Sequence, residues 1–282
     1  MEWHDPQFWA REWARARAQS SLYSGYDRPD RWLEFWNLVA TSYARRNEQV
    51  AGHHRELVTW LAREGVITGA SVVLDVGCGP GTYALPLAER VRQVVALDPA
   101  PEMLRVLAEE AVRRGLGERI RTVCGRWEDV EASVDYDLVF VANSPAVWDY
   151  TTLCKMNQVS RGYCCLVTAA RKTRMGLRDE LWKRVTGREM RGGAFDPIYP
   201  FNILYHEGYY PGIKFIQYAH RHKDRPEAFL EQYKCYFSIF GYEGPEVERT
   251  IRDYLASVCR DGYCEDQQEG YLAVIWWRAR QQ

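Results

Sequence analysis

The sequence has no run of eighteen apolar residues, so no transmembrane helix is expected. It has no excess of charge of either sign, with 37 Lys and Arg against 38 Asp and Glu. A global basic footprint is therefore absent, and nucleic acid is not an expected partner. Cysteine is too scarce for a disulfide scaffold, at eight in 282 residues. Several of the eight sit in apolar runs, which fits reduced thiols and a cytoplasmic location. No pair has C-x-x-C spacing, so no metal site is expected. Met1 to Pro6 is polar and aromatic and offers no apolar signal-peptide core. Internal repeats and low-complexity linkers are also missing, and nothing fixes the oligomeric state.

Aromatic residues, by contrast, are abundant. Six of the 11 Trp precede residue 61, and eight of the 18 Tyr lie between residues 195 and 242. The first 65 residues read as helices. Asp5-Pro6 is a cap with proline at the first helical position. Trp32, Phe35, Trp36, Val39 and Tyr43 mark a second helix, and a third runs from about Glu48 to Glu64. After Gly69 the period changes. Short β-branched runs at Val72–Val76, Gln93–Asp98, Ile120–Cys124, Asp137–Ala142 and Tyr163–Ala169 alternate with helical segments. That alternation implies a doubly wound parallel sheet covered on both faces. Beyond Arg171 it breaks into helices around a strand at Lys214–His220, before a last strand at Tyr271–Trp277.

The strongest chemical signal is Val72-Val73-Leu74-Asp75-Val76-Gly77-Cys78-Gly79-Pro80-Gly81. A strand enters three glycines at alternate positions, and a helix follows. Glycines allow positive φ and close approach of a ligand, and the amides and helix start suit an anionic group. The dinucleotide fingerprint needs G-x-G-x-x-G, but position 82 is Thr. Asp75 would repel a pyrophosphate and suits a ligand bearing an ammonium group. Thr82 and Asp75 thus argue against a nicotinamide oxidoreductase. Asp98 ends the second strand, where a carboxylate accepts both hydroxyls of a ribose.

Together these residues resemble motif I and the following acidic motif of class I S-adenosylmethionine-dependent methyltransferases. The resemblance covers about residues 72–142. It implies a Rossmann-like seven-stranded α/β sheet with an antiparallel last strand. On this frame the chain is one domain, 1–282. It divides into an N-terminal helical lid (1–65), a cofactor-binding core (66–170), a variable substrate region with a helical insertion (171–268) and the last strand (269–282). The cofactor this resemblance implies is S-adenosyl-L-methionine. The residues expected to hold it are Asp75 near the amino group, Gly77, Cys78, Gly79 and Gly81 in the loop, Asp98 and Pro99 at the ribose, and Met103 near the adenine. Phe35 to Tyr43 resembles the helix before motif I in small-molecule methyltransferases, which makes Tyr43 a candidate for the carboxylate. Packing in a core is the alternative for Tyr43. After the third strand Arg126 stands where such enzymes often carry an acid, so backbone and Trp127, with Glu128 as an alternative, are left for the adenine.

Asn143-Ser144-Pro145 follows the fourth strand, whose end faces the transferred methyl in this family. Asn143 and Ser144 are therefore candidate substrate-side groups, with a capping turn as the alternative, and Asn143 is also a cofactor contact. His206 is a candidate base, used only if the acceptor must lose a proton. Cys164 and Cys165, adjacent in a strand, are expected to point one into each helical layer. The tyrosines of 199–242 either line a pocket or form a secondary core. The expected activity is methyl transfer to a small-molecule acceptor. The alternative is a non-catalytic cofactor-binding or metal- or metalloid-handling protein, including thiolate-dependent metalloid methylation by Cys154, Cys164 and Cys165.

Overall fold

Val73 points to one face of the first strand and Leu74 and Val76 to the other, and all three are buried. A strand apolar on both faces must lie in the middle of a sheet with helices on each side. The computed structural model, which describes residues 2–48, 51–131, 135–170 and 174–279, has that arrangement. The strands are β1 (Val72–Val76), β2 (Gln93–Asp98), β3 (Ile120–Cys124), β4 (Tyr136–Ala142), β5 (Ser160–Ala169), β6 (Arg174–Met175), β7 (Gly212–Asp224) and β8 (Cys264–Arg278). Their order is β3-β2-β1-β4-β5-β8, and β7 lies on the outer edge of β8. β1 to β5 are parallel, and β8 runs antiparallel to both β5 and β7. Seven long strands form the expected sheet. The two-residue β6 adds an eighth by pairing with Gln268 and Glu269.

The helices are α1 (Pro6–Gln19), α2 (Pro29–Glu48), α3 (Ala51–Arg63), α4 (Ala84–Ala88), α5 (Pro101–Arg113), α6 (Tyr150–Val159), α7 (Gly176–Thr186), α8 (Ile198–His206), α9 (Pro226–Ser238) and α10 (Pro245–Val258). α3, α4 and α5 cover one sheet face through Leu57, Leu61, Leu87 and Leu107. α1, α6 and α8 cover the other with Trp13, Met156 and Ile203. A third core joins α2, α7, α9 and α10 through Phe35, Trp182, Phe229, Phe237 and Ile251, and reaches the start of α5 at Ala100 and Met103. Among the described residues no helix is long and apolar enough to cross a membrane.

This packing divides the N-terminal 65 residues among the three cores. The Trp13 indole is 2% exposed and donates to Ala194 O at 2.7 Å, so α1 is part of a sheet-covering layer. α3 is likewise sheet cover. Only α2 reaches the third core, together with three helices of the 171–268 region. The expected third helix starts at Ala51, and positions 49–50 fall outside the described residues. The helix after the glycines is shorter than its pattern suggests, at five residues.

Cys164 and Cys165 do point to opposite layers, and both are fully buried. The thiolate trio with Cys154 is therefore not assembled. Reduced thiols do not extend to one pair, since Cys259 and Cys264 form a disulfide with Cα atoms 4.2 Å apart. Gly262 (φ 77°) and Asp261 (φ 52°) make the tight turn that brings them together.

Candidate cofactor and acceptor site

β1 ends at Val76, and the chain turns back at once. The Gly77 and Cys78 amides both donate to Leu97 O, at 2.8 and 3.1 Å, which ties the loop to the end of β2. Gly77, Gly79 and Gly81 have φ of 67°, 54° and 92°. A Cβ on Gly77 would lie 2.1 Å from Ser144 Oγ, and one on Gly81 would lie 2.4 Å from Leu107 Cδ1. The glycines thus let the loop press against the β4 turn on one side and α5 on the other.

Two carboxylates converge beneath this loop. Asp98 accepts from the Gly79 N–H through Oδ2 and from the Ala100 N–H through Oδ1, each at 2.9 Å. Burial raises its pKa, and those two amides oppose the rise. Asp75 is 2% exposed and accepts from the Ala84 N–H, while its Oδ2 has no partner. Burial, and then the nearby charge of Asp98, push its carboxyl up to about 8. The Cys78 thiol is pushed up by burial and by the same two acids, so it stays neutral. Met103 is 1% exposed, with Sδ 4.0 Å from the place a Gly79 Cβ would take. Pro99 is exposed beside it.

α2 spans the mouth of this site. At one end Asn37 Oδ1 accepts from the Glu102 N–H (3.1 Å), and at the other Asn47 Nδ2 donates to Thr82 Oγ1 (2.6 Å). Between them Trp36 and Tyr43 stand edge to face, with centroids 5.7 Å apart. Arg46 lies 5.1 Å over the Tyr43 ring and is only 8% exposed. Among the described residues no carboxylate forms an ion pair with Arg46.

The structure separates the other candidates. Asn143 and Ser144 sit at the strand ends beside the loop. Asn143 has φ 49°, unusual for a residue with a side chain, and its N–H donates to Val167 O at 2.9 Å. Ser144 Oγ accepts from the Ala146 N–H at 3.2 Å. The Trp127 ring is turned away. It is 2% exposed in the second sheet layer, with its indole N–H on Thr152 O and Lys155 Nζ 5.0 Å over its face. His206 closes α8 with its ring beside Trp3 and His4. Of the tyrosines in the 199–242 stretch, Tyr233 and Tyr236 are third-core residues, while Tyr205 and Tyr210 are exposed on the surface.

The sequence reading passed over Arg46, Asn47 and His222. The signal for the first two was positional, because residues three and four after Tyr43 share its helix face. The strand expected at Lys214–His220 continues as β7 to Asp224 and carries His222 with it. Among the described residues no three His, Cys, Asp or Glu are grouped to hold a metal.

Residues 73–161 match the family model for a methyltransferase domain. That segment, which holds the glycine loop and Asp98, is thus similar to methyltransferase domains. An uncharacterized protein of Haemophilus influenzae is 32% identical over 148 residues, covering 51% of this chain and 53% of that one. The ubiquinone biosynthesis O-methyltransferase of Methylocella silvestris is 35% identical over 94 residues, covering 32% of this chain and 35% of that one. The chain thus spans about half the length of the first relative and less of the second. The solved YcgJ protein of Bacillus subtilis shares the fold, with a TM-score of 0.50 at 15% identity over 82% of this chain and 100% of that one.

Proposed function

We propose that this chain transfers the methyl group of S-adenosylmethionine to a small-molecule acceptor. The observation that carries the reading is the unpartnered Asp75 Oδ2, buried under a glycine loop whose neighbouring carboxylate ends β2. A carboxyl oxygen held out of water without a partner fits a ligand that brings a cation and displaces its proton. The cofactor's ammonium group supplies one. Arg46, a buried guanidinium without an acid beside Tyr43, suits the cofactor's carboxylate, and Asp98 suits its ribose hydroxyls. When bound, the cofactor supplies an electrophilic methyl on a sulfonium. The chain's part is alignment, with α2 excluding water over the mouth and Asn143 and Ser144 facing the acceptor side.

Calorimetry with S-adenosylhomocysteine tests this reading. Tight stoichiometric binding is expected, and Asp98→Ala should weaken it about ten-fold or more, as befits the loss of a charge-assisted hydrogen bond. Unchanged affinity in a folded variant would contradict the assignment.

Proton linkage gives a second test. The Asp75 carboxyl rises from 3.8 to about 8, so the proton stabilises the cofactor-free fold. That stability is complete below the unfolded value and is lost as pH rises through about 8. The cofactor's ammonium selects the ionised form. Binding at pH 7 should therefore release close to one proton, and affinity should climb by up to about ten-fold per pH unit toward pH 8. Calorimetry in buffers of different ionisation enthalpy reads the proton directly. Zero protons released, with a flat affinity profile, would show that Asp75 is already ionised.

A further inference from the structure

β3 and β7 end the sheet on opposite sides, and they are unlike. β3 closes its side with five residues. β7 closes the other with thirteen, Gly212 to Asp224, paired to Trp276 to Cys264 of β8 without a register shift. A strand bonds to a neighbour through alternate residues, so half of the β7 amides and carbonyls point outward. Among the described residues no strand pairs with that outer side. Proline, bulges and short length commonly blunt an edge, and β7 has none of these. Ala219 in its second half is exposed although its side chain is a single methyl, so nothing lies over the strand there. A cleft of about 560 Å³ opens at the same place, lined by Ala219, His220 and Arg221 with Gln268 and Glu269 of β8. Phe215, further along, is 55% exposed.

The charges of β7 decide what can pair with it. The strand carries Lys214, Arg221 and Lys223, and its one acid is Asp224. Such charges guard an edge against indiscriminate pairing and so restrict the register. A two-fold axis normal to the sheet sets one residue opposite its own copy and pairs the others symmetrically about it. With the axis at Ala219, Lys214 stands opposite Asp224, Phe215 opposite Lys223 and Gln217 opposite Arg221. Lys214 and Asp224 are an even number of residues apart and share a sheet face, so their side chains meet. No like charges oppose each other, and the Lys223 stem can cover the Phe215 ring. Moving the axis to Tyr218 or His220 sets Asp224 against Gly212 or Ile216 instead. Moving it to Arg221 sets that cation against itself.

We propose that two copies of this chain pair antiparallel through β7, with the axis at Ala219, and join their sheets into one. The occupant of the edge is a second copy because the strand complements itself in that register. The proposal does not depend on the methyl-transfer reading.

The test is the mass of the full chain in solution, by sedimentation equilibrium over a range of micromolar concentrations. A dimer of twice the 32.9 kDa chain is expected. Ala219→Glu sets two acids face to face at the axis and should weaken the dimer at least ten-fold, with melting unchanged because the residue is exposed. Lys214→Glu should weaken it too, and adding Asp224→Lys should restore it. Cross-linking reads the axis itself. Directly opposed Cβ atoms lie about 5 Å apart, within reach of a disulfide. Ala219→Cys should therefore cross-link under mild oxidation. Gln217→Cys, whose two copies are offset along the strands by about 14 Å, should not. Both are made together with Cys124→Ser, because Cys124 is exposed. If a charge variant fails to melt cooperatively, the cross-linking pair decides. A native chain that stays monomeric at every concentration would overturn the proposal. So would a dimer indifferent to Ala219→Glu, or one in which Gln217→Cys cross-links as fast as Ala219→Cys.

Discussion

Gly81→Ala should lower the melting temperature by about 10 °C and abolish measurable S-adenosylhomocysteine binding. At φ 92° a side chain is strained, and its Cβ would meet Leu107 Cδ1 at 2.4 Å and Leu85 at 3.1 Å. Leu107 is fully buried in the first sheet layer and has little room to withdraw. Overpacking costs about 1–3 kcal/mol. The backbone adds about 1–2 kcal/mol. At about 2–4 °C per kcal/mol for a chain of this size, the sum gives the expected shift. The alternative to unfolding is a displaced loop, which would move the Gly79 amide away from Asp98. A scanning melt beside a binding isotherm separates the two outcomes. A variant with native melting and native affinity would mean that the loop has slack, contrary to the contacts seen.

The second large effect is a loss of binding without a loss of stability. Asp75→Asn keeps an oxygen for the Ala84 N–H but removes the charge. Affinity for S-adenosylhomocysteine should fall by about 2–3 kcal/mol, on the order of 30- to 150-fold, because the ammonium loses its buried anion. The cofactor-free chain should melt at the same temperature or higher at pH 8, since burying Asp75 beside Asp98 opposes its ionisation. A site residue that weakens the fold is what a ligand-completed site requires. Equal losses of affinity and melting temperature would make Asp75 a structural residue instead.

The contrast between what was legible and what was not has a physical basis. β1, β2 and the loop between them were readable because their pattern is local. A doubly buried strand shows a continuous apolar run, and positive φ selects glycine within a few residues. The carboxyl ends of β1 and β2, and so Asp75 and Asp98, followed from that. The lid was only partly readable. Trp9 and Trp13 on α1 and Trp36 on α2 have the same helical spacing. Yet α1 packs on Tyr199 and Ala194 of the distant region, and only α2 bridges Glu102 and Thr82. Periodicity reports that a face is apolar, not which neighbour covers it. Trp127 follows the same rule, as a tryptophan in a suggestive place whose partner, Thr152, lies 25 residues on. Arg46 and His222 were illegible because each is notable for its burial, and burial is a property of the fold.

The most direct measurement is a crystal structure of the chain with S-adenosylhomocysteine. The account predicts density at the ends of β1, β2 and β4, with ribose hydroxyls on Asp98, the ammonium group within hydrogen-bond distance of Asp75 Oδ2, and the sulfur directed toward Asn143 and Ser144. A ligand bound elsewhere, or one in this cleft with its amino-acid end away from Asp75, would contradict it.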